Sequence, residues 1–331
     1  MESPKVTIVV VPRERFSGAK TSLDSIYAHT SIPFNLVYID GNSPKRVSAY
    51  LQKESEQRQF QLVRKDHYLS PNEARNLGLT YVETDYVVYV DNDLIVRDGW
   101  LEALIECAEQ TGAWIVGPTY LIGKPENETV HLTSGEATFY EVDGKPHFKE
   151  HHVNSTRKLS DIQDSLTRSP CDFMEFHCLL MNTSRFRQIG ELDEKLLTST
   201  EYIDICLRAK EAGGETYHEP ASVVTYVPNN HFLIPSDLKF YLWRSSNPAN
   251  VSSLLHFQQK YGLDENDSYM AEGNAWLTYH RRRPVRWITG TVRVLFGMKA
   301  HARFSRFMDK LITPKNHQRE LQSTDAAWAK N

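Results

Sequence analysis

Over the first third of the chain, short apolar runs alternate with longer amphipathic stretches, a pattern that predicts βαβ units and a mainly parallel sheet. The run Val6-Thr7-Ile8-Val9-Val10-Val11, stopped by Pro12, reads as the first strand, and Ser22 to His29 as the helix after it. Phe34 to Ile39 predicts a second strand, ended by the turn formers Asp40-Gly41-Asn42-Ser43-Pro44. A helix from Arg46 to Glu56 and a third strand from Phe60 to Arg64 come next. Ser70-Pro71-Asn72-Glu73 is a helix start, with Ser able to cap, Pro at the first position and Glu at the third. That helix carries Ala74, Leu77 and Tyr81 on one face, and Tyr86 to Val90 is the fourth strand.

Further along, Trp100 to Gln110 predicts a helix and Trp114 to Pro118 a strand. The stretch His131 to His152 alternates apolar and polar residues around Val142-Asp143-Gly144-Lys145, a hairpin signal. Asn154 to Ser169 is polar and without periodicity, which suggests a mobile loop or short helix near the substrate. Phe173 to Met181 is β-like, so Glu175 and His177 would share one strand face. Thr198-Ser199-Thr200-Glu201 introduces a helix from Tyr202 to Ala212, stopped by Gly213-Gly214, and Ser222 to Val227 is a last strand. In open parallel sheets ligands bind beyond the carboxyl ends of the strands, where Pro12, Asp40, Asp66 and Asp91 all fall. A nucleotide-sized site along that edge is expected.

The composition, with 331 residues, 40% hydrophobic and 24% charged, is that of a globular protein with one large domain and an appendage, or two domains. Cys107, Cys171, Cys178 and Cys206 form no Cys-x-x-Cys pair and have no His spacing suited to zinc, so buried thiols are expected. No signal-peptide pattern and no apolar stretch near the roughly 20 residues that span a bilayer is found, which predicts a cytoplasmic protein, or one peripheral at the inner face of the membrane.

Candidate chemistry concentrates in Asp91-Asn92-Asp93, at the end of the fourth strand. Alternation along an extended segment would let Asp91 and Asp93 converge on one cation while Asn92 faces elsewhere. A hard divalent ion such as Mg²⁺ or Mn²⁺ suits such oxygen ligands and leaves positions open for diphosphate oxygens.

Four segments, in order, resemble the family 2 glycosyltransferases of the GT-A fold. They are the opening strand with Pro12; Ile39-Asp40-Gly41-Asn42-Ser43; Asn72-Glu73-Ala74-Arg75-Asn76-Leu77-Gly78 with Asp91-Asn92-Asp93; and Ile189-Gly190-Glu191-Leu192-Asp193-Glu194 leading into Glu201-Tyr202-Ile203-Asp204-Ile205. The resemblance spans roughly residues 5 to 230. It implies an α/β fold, Rossmann-like, with a mainly parallel mixed sheet and flanking helices: a GT-A domain over 1–235, with a nucleotide-sugar half of about 1–118 and an acceptor half of about 119–235. Residues 236–331 would form a mainly helical, basic extension. It further implies transfer of a sugar, with inversion, from a nucleotide diphosphate sugar, UDP-linked in the usual case, to a glycan or lipid-linked acceptor.

Carried over by position, the resemblance puts Asp40 against the base, with Pro12, Arg13, Asn42, Asn76 and Asn92 along the nucleotide. Arg75 would lie near the phosphates, and Asp91 and Asp93 on the metal. Two positions depart from the family. Its usual Glu-Asp-x-Asp-Leu, with the first Asp as base, reads Glu201-Tyr202-Ile203-Asp204-Ile205 here. An unperturbed tyrosine, with a pKa near 10, is a poor base at neutral pH, so Glu201 is expected in that role with Asp204 in reserve and Tyr202 at the substrate. The histidine that often follows the next strand is replaced by Tyr226, which leaves His231 as the expected third metal ligand. Glu175 and His177 are expected to face the sugar or acceptor. The Tyr202 departure also supports an alternative: a degenerate domain that binds a nucleotide sugar or a partner without efficient transfer.

From Arg281 to Lys310 nine basic residues stand against the single acid Asp309, although the whole chain carries a formal charge of -4. Trp287, Ile288, Val292, Leu295 and Phe296 fit one helical stripe, and Phe304, Phe307, Met308 and Leu311 another. Two readings fit segment 281–311: an amphipathic helix at an anionic membrane surface, or an extension packed on the catalytic domain or on a second copy in a homo-oligomer. Nucleic-acid binding is not expected, since no recognised motif accompanies the charge.

Overall fold

The computed structural model describes residues 4–197, 199–228, 235–283 and 286–312. Contacts divide the chain into two compact units: Met1–Thr138, Lys149–Glu194 and Glu201–Pro228 form the first, and Phe139–Phe148, Lys195–Thr200 and Asn229–Asn331 the second. In chain order the elements up to residue 228 are β1 (Val6–Val11), α1 (Ala19–His29), β2 (Asn35–Gly41), α2 (Lys45–Arg58), β3 (Gln61–Lys65), α3 (Pro71–Leu79), β4 (Tyr86–Asp91), β5 (Leu94–Val96), α4 (Trp100–Thr111), β6 (Ile115–Ile122), β7 (Val130–Leu132), β8 (Gly135–Val142), β9 (Lys145–His152), β10 (Ser169–Cys171), β11 (Cys178–Asn182), α5 (Thr183–Ile189), α6 (Glu201–Glu211) and β12 (Thr216–Tyr226).

The main sheet runs β10-β12-β6-β11-β4-β1-β2-β3, with β5 paired to β12 and β7 to β6. β1, β2, β3 and β4 pair in parallel, as do β6 and β12, while β11 runs antiparallel between β4 and β6. All six residues of β1 and of β4 are buried, which explains unbroken apolar runs where a half-exposed strand would alternate. Ser70 closes the expected capping box on α3: its hydroxyl accepts from Glu73 N, and Ser70 N donates to the Glu73 carboxylate at 2.6 Å. The β8–β9 turn has both Asp143 and Gly144 at positive φ, 51° and 73°, the backbone that the Asp-Gly pair predicts.

Several boundaries differ from the sequence pattern. β2 continues through Asp40 and Gly41 instead of stopping at Ile39. β12 starts at Thr216, six residues before the predicted strand, because the register shift between Glu219 and Val223 accommodates Pro220, which has no N–H for the ladder. Segment 154–169 is neither one helix nor a detached loop. Two single 3₁₀ turns there bury Leu159 and Ile162 against Leu121 and Val130. β11 begins only at Cys178, so Glu175 and His177 lie in the segment before it, His177 in a turn, and not on a strand face.

In the second unit, α7 (Pro235–Arg244), α8 (Asn247–Lys260) and α9 (Ser268–Arg281) join the end of the β8–β9 hairpin. Phe148 packs edge-on against Phe257 at 5.4 Å and Tyr269 at 4.9 Å. The Asp267 carboxylate caps α9 through Tyr269 N and also accepts from Phe148 N, both at 2.7 Å. α10 (Arg286–Ile312) is two helices folded at Gly297, whose φ of 78° and ψ of 177° are non-helical. His301 Nδ1 donates to the Thr289 carbonyl at 2.8 Å, whereas a straight helix would separate those residues by about 18 Å. Among the described residues no helix is long and apolar enough to cross a membrane.

Candidate active site

The site begins at the carboxyl end of β4, where Asp91-Asn92-Asp93 turns the chain into β5. It is a turn, not the extended segment expected, yet it brings the two carboxylates together. Asn92 holds the turn in place: its Nδ2 donates to the Arg15 carbonyl at 2.7 Å, and its Oδ1 faces Arg13 N at 3.4 Å. Gly18 permits this approach, since a Cβ there would lie 2.7 Å from the Asn92 carbonyl oxygen. The third member comes from β11, the antiparallel neighbour of β4. Cys178 stands opposite Val90, and one step further Asp91 N donates to the His177 carbonyl at 2.9 Å. The ligand-capable atoms of Asp91, Asp93 and His177 all lie within 4.8 Å of one another, and all three residues are buried.

His177 is held on three sides: Nδ1 lies 3.1 Å from Asp91 Oδ2, Nε2 lies 3.2 Å from Glu175 Oε2, and the ring stacks on Tyr226 at 4.2 Å. Tyr226 thus occupies the position where a histidine was expected and orients an imidazole from another element. His231 lies outside the described residues. His177, expected at the substrate, is instead the residue that completes the acidic pair.

The two carboxylates are unlike. Burial opposes ionisation of Asp91, but the His177 hydrogen bond and the charges of Arg13 and Arg75 outweigh it and lower its pKa. For Asp93, burial, then the charges of Asp91 and Glu14, outweigh the opposing charges of Arg15 and His177 and push its pKa up to about 7. Neither oxygen of Asp93 has a hydrogen-bond partner among the described residues. A buried carboxylate with four unused lone pairs, beside a second carboxylate and an imidazole, is a donor set that fits a divalent cation.

Cationic side chains close the site from both sides. Arg13 Nη1 lies 3.1 Å from Asp91 Oδ2 and 2.9 Å from His177 Nδ1. Burial works against the Arg13 charge, but Asp91, Tyr226, Glu201 and Glu175 raise its pKa. Arg75 is wholly buried. Its Nη2 donates to Asp91 Oδ1 at 3.2 Å, its Nη1 donates to Asn72 Oδ1 at 3.2 Å and lies 3.7 Å from Glu201 Oε1, and Phe176 covers it at 4.1 Å. Arg75, expected near the phosphates, holds Asp91 and Glu201 in position from within the fold. Asn76 is likewise occupied within the fold, bonding both backbone groups of Leu192 at 2.9 Å and Glu194 Oε1 at 3.0 Å. It staples the Gly190–Glu194 motif to α3.

Glu201, first residue of α6, is buried and its Oε2 has no hydrogen-bond partner among the described residues, while Asp204 pairs with Arg208 at 3.5 Å. The Tyr202 hydroxyl donates to Glu150 Oε2 at 3.1 Å. Asp40 sits in an Asx turn, accepting from Ser43 N at 2.8 Å and Ser43 Oγ at 3.0 Å, and pairs with Arg64. Asn42 has φ 65°, and Pro12 directly follows β1. Glu175 accepts from His131 Nε2 at 3.0 Å. Burial opposes its charge, but His131 and His177 hold its pKa well below the usual carboxylate value. Sequence reading missed His131, His152 and Glu150, which lie far from any motif and carry no local signal.

The family described as Glycosyl transferase family 2 matches residues 7–182, more than half of the chain. A pre-mycofactocin glycosyltransferase of Mycobacterium tuberculosis (strain ATCC 25618 / H37Rv) is 25% identical over 224 residues, covering 67% of this chain and 42% of that protein. The O-antigen biosynthesis protein RfbC of Myxococcus xanthus is 22% identical over 222 residues, covering 64% of this chain and 16% of that protein. The chain thus spans less than half the length of either relative. Among solved structures, GalNAc-T7 with UDP, GalNAc and Mn²⁺ aligns with a TM-score of 0.53 and 15% identity, over 84% of this chain and 58% of that one. That likeness is one of fold: a mixed, mostly parallel sheet flanked by helices, as in GT-A proteins. With the family match extending from β1 through the Asp91-Asn92-Asp93 turn to the end of β11, the chain belongs to glycosyl transferase family 2.

Proposed function

We propose that this chain transfers a sugar from a nucleotide diphosphate sugar to an acceptor hydroxyl, with inversion and with the help of a divalent cation. The observation that carries the reading is Asp93: a buried carboxylate with both oxygens unpartnered, grouped with Asp91 and His177. A cation held by these three would supply Lewis-acid neutralisation of charge growing on the departing diphosphate. The solved neighbour that contains UDP and Mn²⁺ supports the same donor and ion class here. Inversion requires a base opposite the leaving group, and Glu201 is the better placed carboxylate. Its Oε2 is free of partners, and Arg75 fixes its other oxygen relative to Asp91. Asp204 is engaged by Arg208 and Tyr202 by Glu150.

The acceptor is proposed to be lipid-borne. The fold in α10 exposes Val294, Leu295, Phe296 and Met298 at 80%, 66%, 71% and 67%, between Arg293 and Lys299. An apolar tip ringed by cations suits the surface of an anionic bilayer. Thermal-shift measurements over a panel of nucleotide diphosphate sugars, with and without Mn²⁺, test the donor site. Stabilisation by one donor, dependent on Mn²⁺ and lost in Asp93→Ala, is the expected result; no response to any donor overturns the reading. With that donor in hand, Glu201→Gln should retain binding and lose turnover by roughly a hundredfold or more, the usual contribution of a positioned base. Donor binding by the wild type with no turnover on any hydroxyl acceptor would instead identify a binding module.

A further inference from the structure

Beside the Asp91 site, and sharing none of its three members, a second group of ligand-capable side chains converges from separate elements. His131 comes from β7, His152 from the end of β9, and Glu175 from the segment before β11; their ligand-capable atoms also lie within 4.8 Å of one another. Alternation along β9 sends His151 to Glu136, at 2.9 Å, and turns His152 the other way. Among the described residues His152 Nε2 is buried without a hydrogen-bond partner, 3.8 Å from Glu175 Oε1 and 4.0 Å from Glu150 Oε1. His131 Nε2 lies 3.0 Å from Glu175 Oε2, and the His131 ring stands edge-on to His152 at 5.5 Å.

We propose that His131, His152 and Glu175 form a second cation site, which takes Zn²⁺ or another first-row divalent ion that prefers imidazole. Two imidazoles and one carboxylate, with a position left open, is a common zinc donor set, whereas two carboxylates and one imidazole suit Mn²⁺ or Mg²⁺ better. His131 Nε2 and His152 Nε2 lie 3.0 and 3.8 Å from the two different Glu175 oxygens, near the about 3.3 Å that separates tetrahedral ligands held at Zn–N and Zn–O of about 2.0–2.1 Å. A simple His–Glu hydrogen bond accounts for His131 but leaves the buried His152 nitrogen with no role. The His131 and His152 side chains are 22% and 23% exposed, so the pair reaches the surface although the His152 Nε2 atom is buried.

The test uses the full chain, stripped with chelator and titrated with Zn²⁺ by equilibrium dialysis, then with Co²⁺ read by visible absorption. Asp93→Asn disables the first site and keeps all three members of the second; His131→Ala/His152→Ala removes the imidazoles of the second and keeps all three members of the first, of which His177 packs edge-on against His131 at 5.7 Å. The expected result is one Zn²⁺ equivalent that survives in Asp93→Asn and weakens in the double variant by more than about a hundredfold, the upper end for losing even an outer-shell partner. Loss of all Zn²⁺ binding in Asp93→Asn, or wild-type binding by the double variant, overturns the proposal. His131→Gln and His152→Gln, with a melt in EDTA and a Mn²⁺ titration of the first site, separate loss of ligands from loss of fold. Because the readout is stoichiometry and not turnover, the outcome is independent of whether the chain transfers sugar.

Discussion

Asp93 is 3% exposed, has no partner for either oxygen, and titrates near 7 in the folded, ion-free protein. Between its ordinary 3.8 and about 7 the folded state binds a proton that the unfolded state has released, so stability falls as pH rises through that window and stays low above it. The shift corresponds to about 4 kcal/mol of destabilisation at pH 8, at 1.36 kcal/mol per pKa unit. Asp93→Asn removes the charge, at the expense of an amide that also needs partners, so a net gain of about 1–3 kcal/mol is expected at pH 8 in EDTA. The pH dependence is the sharper readout, because the amide cost does not titrate. In urea denaturation the gap between variant and wild type should shrink by about 2–3 kcal/mol from pH 8 to pH 5. Mn²⁺ should close or reverse the gap: at a hundred times Kd it adds about 2.7 kcal/mol to the wild type and nothing to the variant. A gap that is the same at pH 5 and pH 8, or a variant less stable than wild type in EDTA, would refute the account of Asp93.

Arg75→Met leaves Asp91 without one of its two cations and Glu201 without its partner. A loss of about 3–5 kcal/mol in denaturant stability is expected, larger than for exchanging an exposed pair such as Lys5–Glu109. His218, hydrogen-bonded to Thr119 at 2.9 Å, is kept neutral by burial with a pKa of about 4. Its contribution is complete above pH 6.5 and lost as pH falls toward 4, about 3 kcal/mol in all. His218→Gln should flatten that acid limb in pH-dependent melts, and an unchanged limb would remove His218 as its source. Leu295→Asp/Phe296→Asp should abolish sedimentation with anionic vesicles while leaving donor binding intact; equal sedimentation of variant and wild type would rule out the α10 tip as the membrane contact.

Much of the fold is encoded locally. A buried strand needs a run such as Val6 to Val11, a capped helix needs Ser70 and Glu73 three apart, and a tight hairpin needs Asp143-Gly144; each requirement is met within a few neighbouring residues. Asp91 and Asp93 stand out for the same reason, being two residues apart at a strand end. The extent of β12 was less legible, because a bulge at Pro220 lets a strand pass a residue that normally stops one. That Arg75 and Asn76 bond within the fold becomes visible only once α3 is packed against the Leu192 loop and the site.

By itself the sequence determined the α/β class, the parallel opening of the sheet and the acidic pair, since these follow from apolar period and short-range spacing. Only the tertiary structure decided which imidazole joins that pair. The β4–β11 register sets His177 against Asp91, and Tyr226 stacks on its ring where a histidine was expected. The grouping of His131 and His152 around Glu175 has the same origin, with residues more than twenty positions apart brought together by strand order. Local propensity carries no record of which distant strands become neighbours, and sheet order and register do.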